Sequence, residues 1–204
     1  MCETKILSIS RLRFGTDGQG IRTLVGFMEC NLHCKYCINP NCHNFRQYGI
    51  TLTPYELLNE VEVDNIYFLA TNGGITFGGG EPLLYGDYIR DFINIAPKEW
   101  SFNVETSLSV PYENVERVAD LIDLFIVDIK TLDEKIYKEY TGAGLNLAKE
   151  NLEKLLNLVG SEKILVRVPV INGFADEKSQ DETVKKLLDM GITRIDKFKY
   201  VSEL

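Results

Sequence analysis

Short runs of apolar and β-branched residues recur along the chain, and amphipathic stretches of helical period fill most of the gaps between them. The runs are Ile6–Arg11, Thr23–Met28, Ile75–Phe77, Phe102–Glu105, Leu124–Asp128, Ile164–Pro169 and Lys197–Val201. The helical patterns are Pro54–Glu62, Tyr88–Ile95, Tyr112–Leu121, Glu134–Tyr140, Ala148–Val159 and Asp176–Met190. Strands alternating with helices of this length predict repeated βα units and a parallel sheet. The first two runs read equally as an N-terminal hairpin. From Thr23–Met28 onward about six βα units remain, too few for a closed eight-stranded barrel. The expected architecture is therefore α/β, a partial (β/α)6 barrel with parallel strands. The 204 residues suit one domain with a substantial core, and no linker, repeat or low-complexity stretch divides residues 1–204.

Ligands of such sheets collect at the carboxyl ends of the strands, and the chemically suggestive residues fall there. Cys30 follows the strand Thr23–Met28, and Gly78-Gly79-Gly80-Glu81 follows Ile75–Phe77. Glu105-Thr106 and Asp128-Ile129-Lys130 end the next two strands, and Arg167 is a single charge within Ile164–Pro169.

Four of the five cysteines lie within residues 30–42, and Cys30, Cys34 and Cys37 form a C-x3-C-x2-C pattern. An odd count, clustered this tightly and without a secretory leader, reads as metal ligation rather than a disulfide framework. Three thiolates from one loop can each hold one iron of a cubane cluster and leave the fourth iron open. Zinc is the other reading: His33, Cys42 and His43 lie beside the three cysteines, and Cys42 or His43 could close a tetrahedral shell. Cys2 and Cys42 are not expected to ligate a cluster. Net charge is −8 and no Lys/Arg-rich block occurs, which argues against a nucleic-acid partner. No run of about 18 apolar residues is present, so no membrane helix is expected and the location is read as cytoplasmic.

The three glycines and glutamate make a backbone cradle that a ligand can approach closely, or simply a tight strand-to-helix turn. Asp128 and Lys130 are two apart and share a direction; they suit a ligand or a solvated ion pair. A charge such as Arg167 in an apolar strand needs either an ionic partner or a polar lumen.

Tyr36 before the last cysteine completes a motif that resembles the signature of the radical S-adenosylmethionine superfamily. The run Phe14-Gly15-Thr16-Asp17-Gly18-Gln19-Gly20-Ile21-Arg22-Thr23 resembles the lead-in of the pyruvate formate-lyase activating enzymes. Their glycine motif is similar to Ile75–Leu84, and Asp128-Ile129-Lys130 and Arg167–Gly173 resemble later landmarks in the same order. Between the cysteine and glycine motifs only Cys42 remains, so the chain resembles members without a ferredoxin-like insert. It departs at Ile38, where a His is common, at Gln19, at Glu105-Thr106, and at Val201, near which a His is usual.

The resemblance implies a [4Fe–4S] cluster on Cys30, Cys34 and Cys37 and reductive cleavage of S-adenosylmethionine to a 5′-deoxyadenosyl radical. That radical takes a hydrogen atom from a glycine of a partner glycyl radical enzyme under anaerobic conditions, with reduced flavodoxin or ferredoxin as electron donor. It further implies cofactor contacts from Tyr36, Ile38, Asn39, Gly79, Gly80, Glu81, Asp128, Lys130 and Arg167, and substrate contacts near Asp17 and Arg22. Other activities within the superfamily, on ribonucleotide reductase, peptides or small molecules, are the alternative, followed by a non-catalytic zinc module. The early stop at Tyr200-Val201-Ser202-Glu203-Leu204 reads as a compact variant or as a missing part of the substrate wall.

Overall fold

The computed structural model describes residues 2–200 as one eight-stranded sheet in the order β3-β1-β2-β4-β5-β6-β7-β8. The strands are β1 (Thr4–Phe14), β2 (Ile21–Phe27), β3 (Ile50–Leu52), β4 (Gly74–Gly79), β5 (Ser101–Thr106), β6 (Leu124–Asp128), β7 (Ile164–Val170) and β8 (Ile195–Lys199). From β2 to β8 every neighbouring pair is parallel, which makes the six-stranded open barrel expected from the pattern of runs. β1 returns antiparallel on β2, so the first two runs are a hairpin, and β3 pairs antiparallel with β1 at the edge.

The helices are α1 (Pro54–Val61), α2 (Asn65–Thr71), α3 (Gly86–Ile95), α4 (Tyr112–Ala119), α5 (Glu134–Thr141), α6 (Asn146–Val159) and α7 (Glu177–Asp189). α1 begins where its sequence says it should. Thr53 and Glu56 form a reciprocal capping box, and Pro54 takes the first turn, where its missing N–H costs nothing. Neither β3 nor α2 was anticipated. β3 is three largely exposed residues, and α2 buries only Phe68 while Ile66, Tyr67 and Leu69 face outward, so neither carries a readable apolar period. The last strand runs Ile195–Lys199 rather than Lys197–Val201, and Val201 lies outside the described residues.

Period-two alternation sorts the sheet's two faces. Val25, Phe27, Phe77, Val104, Phe125, Val127, Val166 and Val168 join one hydrophobic core with Leu57, Ile89, Phe92, Val115, Leu152 and Leu187 of the helices. The intervening residues Leu24, Glu105, Asp128 and Arg167 turn to the other face and line a cavity. Among the described residues no helix is long and apolar enough to cross a membrane.

The N-terminal ends of the strands are held by a buried cation. Arg22, only 1% exposed, donates to Thr76 Oγ1 at 2.7 Å, to Ser101 Oγ at 2.8 Å and to the carbonyls of Ile75, Ser101 and Gln19. A guanidinium this deep persists because its fork satisfies itself on three adjacent strands. At a neighbouring corner Asp64, fully buried, accepts from Arg11 and from Thr23 Oγ1, tying the hairpin to the turn before α2.

Candidate cofactor cavity at the strand ends

The chain leaves β2 through Glu29, whose φ of 59° starts a sharp turn, and enters the cysteine loop. That loop is docked on the end of a helix. His33 N donates to Thr141 O at 2.8 Å and Lys35 N to Tyr140 O at 3.0 Å, so amides on either side of Cys34 use carbonyls that the last turn of α5 leaves free. Leu32 is buried beneath, and Cys30, Cys34 and Cys37 face one cavity, each half-buried.

Burial pushes the Cys30 thiol up to about 12 and raises that of Cys34 as well. Cys37 goes the other way: a hydrogen bond from the buried Cys42 thiol holds it low, and Cys42 is raised in return. The three thiols line one shared space. A purely thiolate donor set on one loop therefore suits a cubane cluster.

The glycine segment lies against this loop. A Cβ at Gly79 would stand 2.6 Å from the Gly26 Cα, and one at Gly80 would stand 2.0 Å from the Glu29 carbonyl oxygen. The missing side chains let the end of β4 run beside the end of β2, with Gly80 N donating to Phe27 O and Glu81 N to Glu29 O. Asn39 closes the other side, its amide donating to Gly79 O at 3.0 Å.

Glu81 is 1% exposed, and its carboxylate is taken up inside the protein. It accepts from Thr106 Oγ1 at 2.6 Å, from Ser107 N and Oγ at 3.0 and 2.7 Å, and from Leu83 N at 3.3 Å. Burial pushes its carboxyl above the ordinary range against these four donors. The side chain thus fastens β4 to the end of β5, and what this segment offers the cavity is mainly backbone. Ser107 was not singled out in the sequence and Thr106 only as part of a strand end, because nothing local pairs either with a glutamate about 25 residues away.

Asp128 and Lys130 do point the same way, with Nζ 3.4 Å from Oδ2. Lys130 is 7% exposed; burial pulls its ammonium down, but Asp128 and Tyr200 outweigh this and keep it firmly protonated. Arg167 has both attributes expected of it. It faces the lumen and pairs there with Glu105 at 2.8 Å, while reaching Asp196 at 3.8 Å and the Thr16 carbonyl. Burial raises the Glu105 carboxyl, and Arg167 opposes that shift. Asp17 is 2% exposed on the floor of the cavity and is bound by Arg13.

The residues expected to hold the cluster, cofactor and substrate thus share one cavity of about 590 Å³, Tyr36 and Ile38 included, with the exception of Arg22; Gly78 and the alternative zinc ligands His33, Cys42 and His43 do not line it. That volume lies in the range of small-molecule sites. Arg22 is walled into the far end of the sheet, and its guanidinium is occupied by protein acceptors. The cavity also takes in Ser8, Ser10, Asp196 and Tyr200, which carry no motif; only their later position on lumen-facing strands identifies them. Tyr36, Tyr140 and Phe174 build an aromatic wall, with ring centroids 5.2–6.1 Å apart.

The sequence pattern of the family described as the Radical SAM superfamily matches residues 25–181. A pyruvate formate-lyase-activating enzyme of Clostridium pasteurianum is 33% identical over 174 residues, which cover 85% of this chain and 71% of that protein. A 4-hydroxyphenylacetate decarboxylase activating enzyme of Clostridioides difficile is 32% identical over 76% of this chain and 50% of its own length. The chain therefore spans about half the length of that relative. Among solved structures, Streptococcus suis SuiB bound to S-adenosylmethionine superposes with a TM-score of 0.66 at 20% identity, over 87% of this chain and 39% of that one, a likeness of fold.

Proposed function

The chain belongs to the radical SAM superfamily, and from that premise we propose that it is a glycyl radical enzyme activating enzyme. The observation that carries the reading is the meeting of three loop thiols with Lys130 and Asp128 in one strand-end cavity. Members of the superfamily use a [4Fe–4S] cluster and S-adenosylmethionine. Bound by Cys30, Cys34 and Cys37, the cluster would supply the electron that cleaves the sulfonium and yields the 5′-deoxyadenosyl radical for abstraction of a glycine hydrogen.

The protein's own part is binding and exclusion of water. The carbonyls of Gly79 and Gly80, unshielded by side chains, are suited to an amino group, and the Lys130 ammonium, with Asp128 beside it, to a carboxylate or a ribose hydroxyl. Tyr36, Ile38 and Asn39 border the remaining space and suit the adenine. Arg167 and Asp17 shape the floor, where a peptide loop bearing the target glycine would be received. Glu81 acts by fixing the end of β5, and Arg22 acts on the fold rather than on substrate. Residues 1–204 are read as one domain in the cytoplasm, served by a reduced flavodoxin or ferredoxin and acting on a glycyl radical enzyme.

The test is anaerobic cluster reconstitution, reduction with dithionite and assay of 5′-deoxyadenosine after adding S-adenosylmethionine. Iron and sulfide near four each, with product that vanishes in Cys34→Ala, are expected. A fully loaded cluster that never cleaves S-adenosylmethionine would overturn the enzymatic reading. Zinc in place of iron would return the chain to a binding module.

A further inference from the structure

We propose that the outer surface of the cysteine segment is a docking site for an acidic one-electron carrier protein. The inference rests on the reading above, since a reductively driven site needs such a carrier, and it assigns the surface that receives it.

Charge is distributed unevenly along the chain. Residues 30–55 hold two cations, Lys35 and Arg46, and not one carboxylate, whereas the rest holds twenty cations against thirty carboxylates. In a protein of net charge −8, this is the longest stretch free of acid, and it covers the three thiols.

Side-chain contacts tie parts of the stretch to each other and to β1. The His33 and His43 rings stack with centroids 4.5 Å apart, joining the loop before Cys37 to the turn after it, and both residues are exposed. Lys5 of β1 adds a third cation, standing 4.7 Å over the Phe45 ring and donating to the Phe45 and Tyr48 carbonyls. Phe45 and Tyr48 remain 42% and 36% exposed, which places apolar area among the cations, as interfaces do. Glu29, at the edge of the patch, is engaged by the Tyr85 hydroxyl at 2.6 Å.

Position argues the same way. Lys35 is exposed while its neighbours Cys34 and Tyr36 face the cavity, so one thickness of chain separates this surface from the thiols. The loop is also preformed, held by its two amide bonds to the end of α5. A stretch that bears cations and no carboxylate, and that exposes Phe45 and Tyr48, would attract an acidic partner. In the encounter one electron passes from the carrier to the cluster; the carrier is oxidised by one electron, the cluster is reduced by one, and no bond is made or broken.

The test compares the reconstituted protein with a Lys35→Glu, Arg46→Glu double variant, using a flavodoxin as the probe; Lys35→Gln, Arg46→Gln serves if the reversal lowers stability. Affinity for oxidised flavodoxin is measured at low and high salt, and 5′-deoxyadenosine formation is driven either by reduced flavodoxin or by dithionite. Binding should weaken with salt in the parent and fall about tenfold or more in the variant. Flavodoxin-driven turnover should fall with it, and iron content and dithionite-driven cleavage should stay at parent levels. Equal flavodoxin affinity in parent and variant, or no binding by the parent, would overturn the docking site. So would a variant that binds flavodoxin normally but no longer engages the glycyl radical enzyme. Failure of dithionite-driven cleavage in the parent would instead sink the proposed activity, and the binding comparison would still judge the surface.

Discussion

Tyr200 Oη stands 3.0 Å from Lys130 Nζ, and the same ring lies 5.4 Å beneath that ammonium, so the residue after β8 closes over a cation at the end of β6. Lys130 is thereby held between a phenol and the Asp128 carboxylate, on strands that are not neighbours. Tyr200→Phe should keep the ring and lose the hydrogen bond, worth about 1 kcal/mol, and so weaken S-adenosylmethionine binding roughly fivefold. Equilibrium binding to the reconstituted protein measures this. An unchanged affinity would leave Asp128 alone as the group that positions Lys130.

Arg167 and Glu105 should behave as a coupled pair. Arg167→Met leaves a largely buried carboxylate without its cation, and Glu105→Gln leaves the guanidinium with only Asp196 and a carbonyl. A double-mutant cycle read by chemical denaturation is expected to give about 1–2 kcal/mol of coupling. Strict additivity would mean that the pair does not hold β5 to β7.

Two glycines make opposite predictions. In Gly80→Ala the new methyl would sit 2.0 Å from the Glu29 backbone oxygen, so the ends of β2 and β4 must separate. Overpacking of this kind costs about 1–3 kcal/mol, a fall of several degrees in Tm, and it should also reduce iron retention because the displaced strand leads into Cys30. At Gly144 nothing lies within 4 Å of an added Cβ, and Gly144→Ala should leave Tm and iron within error. Equal effects at the two positions would refute the packing argument.

Asp64 sets an acid limit. Burial pushes its carboxyl up, but hydrogen bonds from Arg11 and Thr23 outweigh that and hold it below the ordinary carboxylate value. A carboxylate depressed in the folded state stabilises above its unfolded pKa of about 3.8, and that contribution is lost as pH falls through the lower folded value. Asp64→Asn should cost about 2 kcal/mol at pH 7, from the lost charge-assisted bonds, and the gap from the parent should narrow as the pH is lowered below 4. Urea midpoints across that range test it; a gap that stays constant with pH would show that Asp64 is not held as an anion.

Much of the fold was legible because its signals are local. α1 announces itself in Thr53-Pro54-Tyr55-Glu56, and β6 in Leu124–Asp128, whose bounds the structure reproduces. β3 and α2 were not legible, since three exposed residues and a helix with one buried side chain have no apolar rhythm to read. In the cavity the same division holds. Cys30, Cys34 and Cys37 fall within one loop, and Asp128 and Lys130 within one strand end, so spacing alone put each set together.

The sequence by itself determined the gathering of three thiols in one loop, the alternation of strands and helices, and the strand ends at which the polar groups meet. These follow from bonds along the chain and from the period of an extended backbone, which need no knowledge of what lies across the sheet. Only the tertiary structure decided what each polar group faces. It gave Glu81 to Thr106 and Ser107, turned Arg22 from a substrate contact into a buried staple between β2, β4 and β5, and brought Tyr200 onto Lys130 from 70 residues away. The reason is that a charge removed from water is stable only beside particular partners, and which partners are within reach is fixed by how the strands are ordered in space.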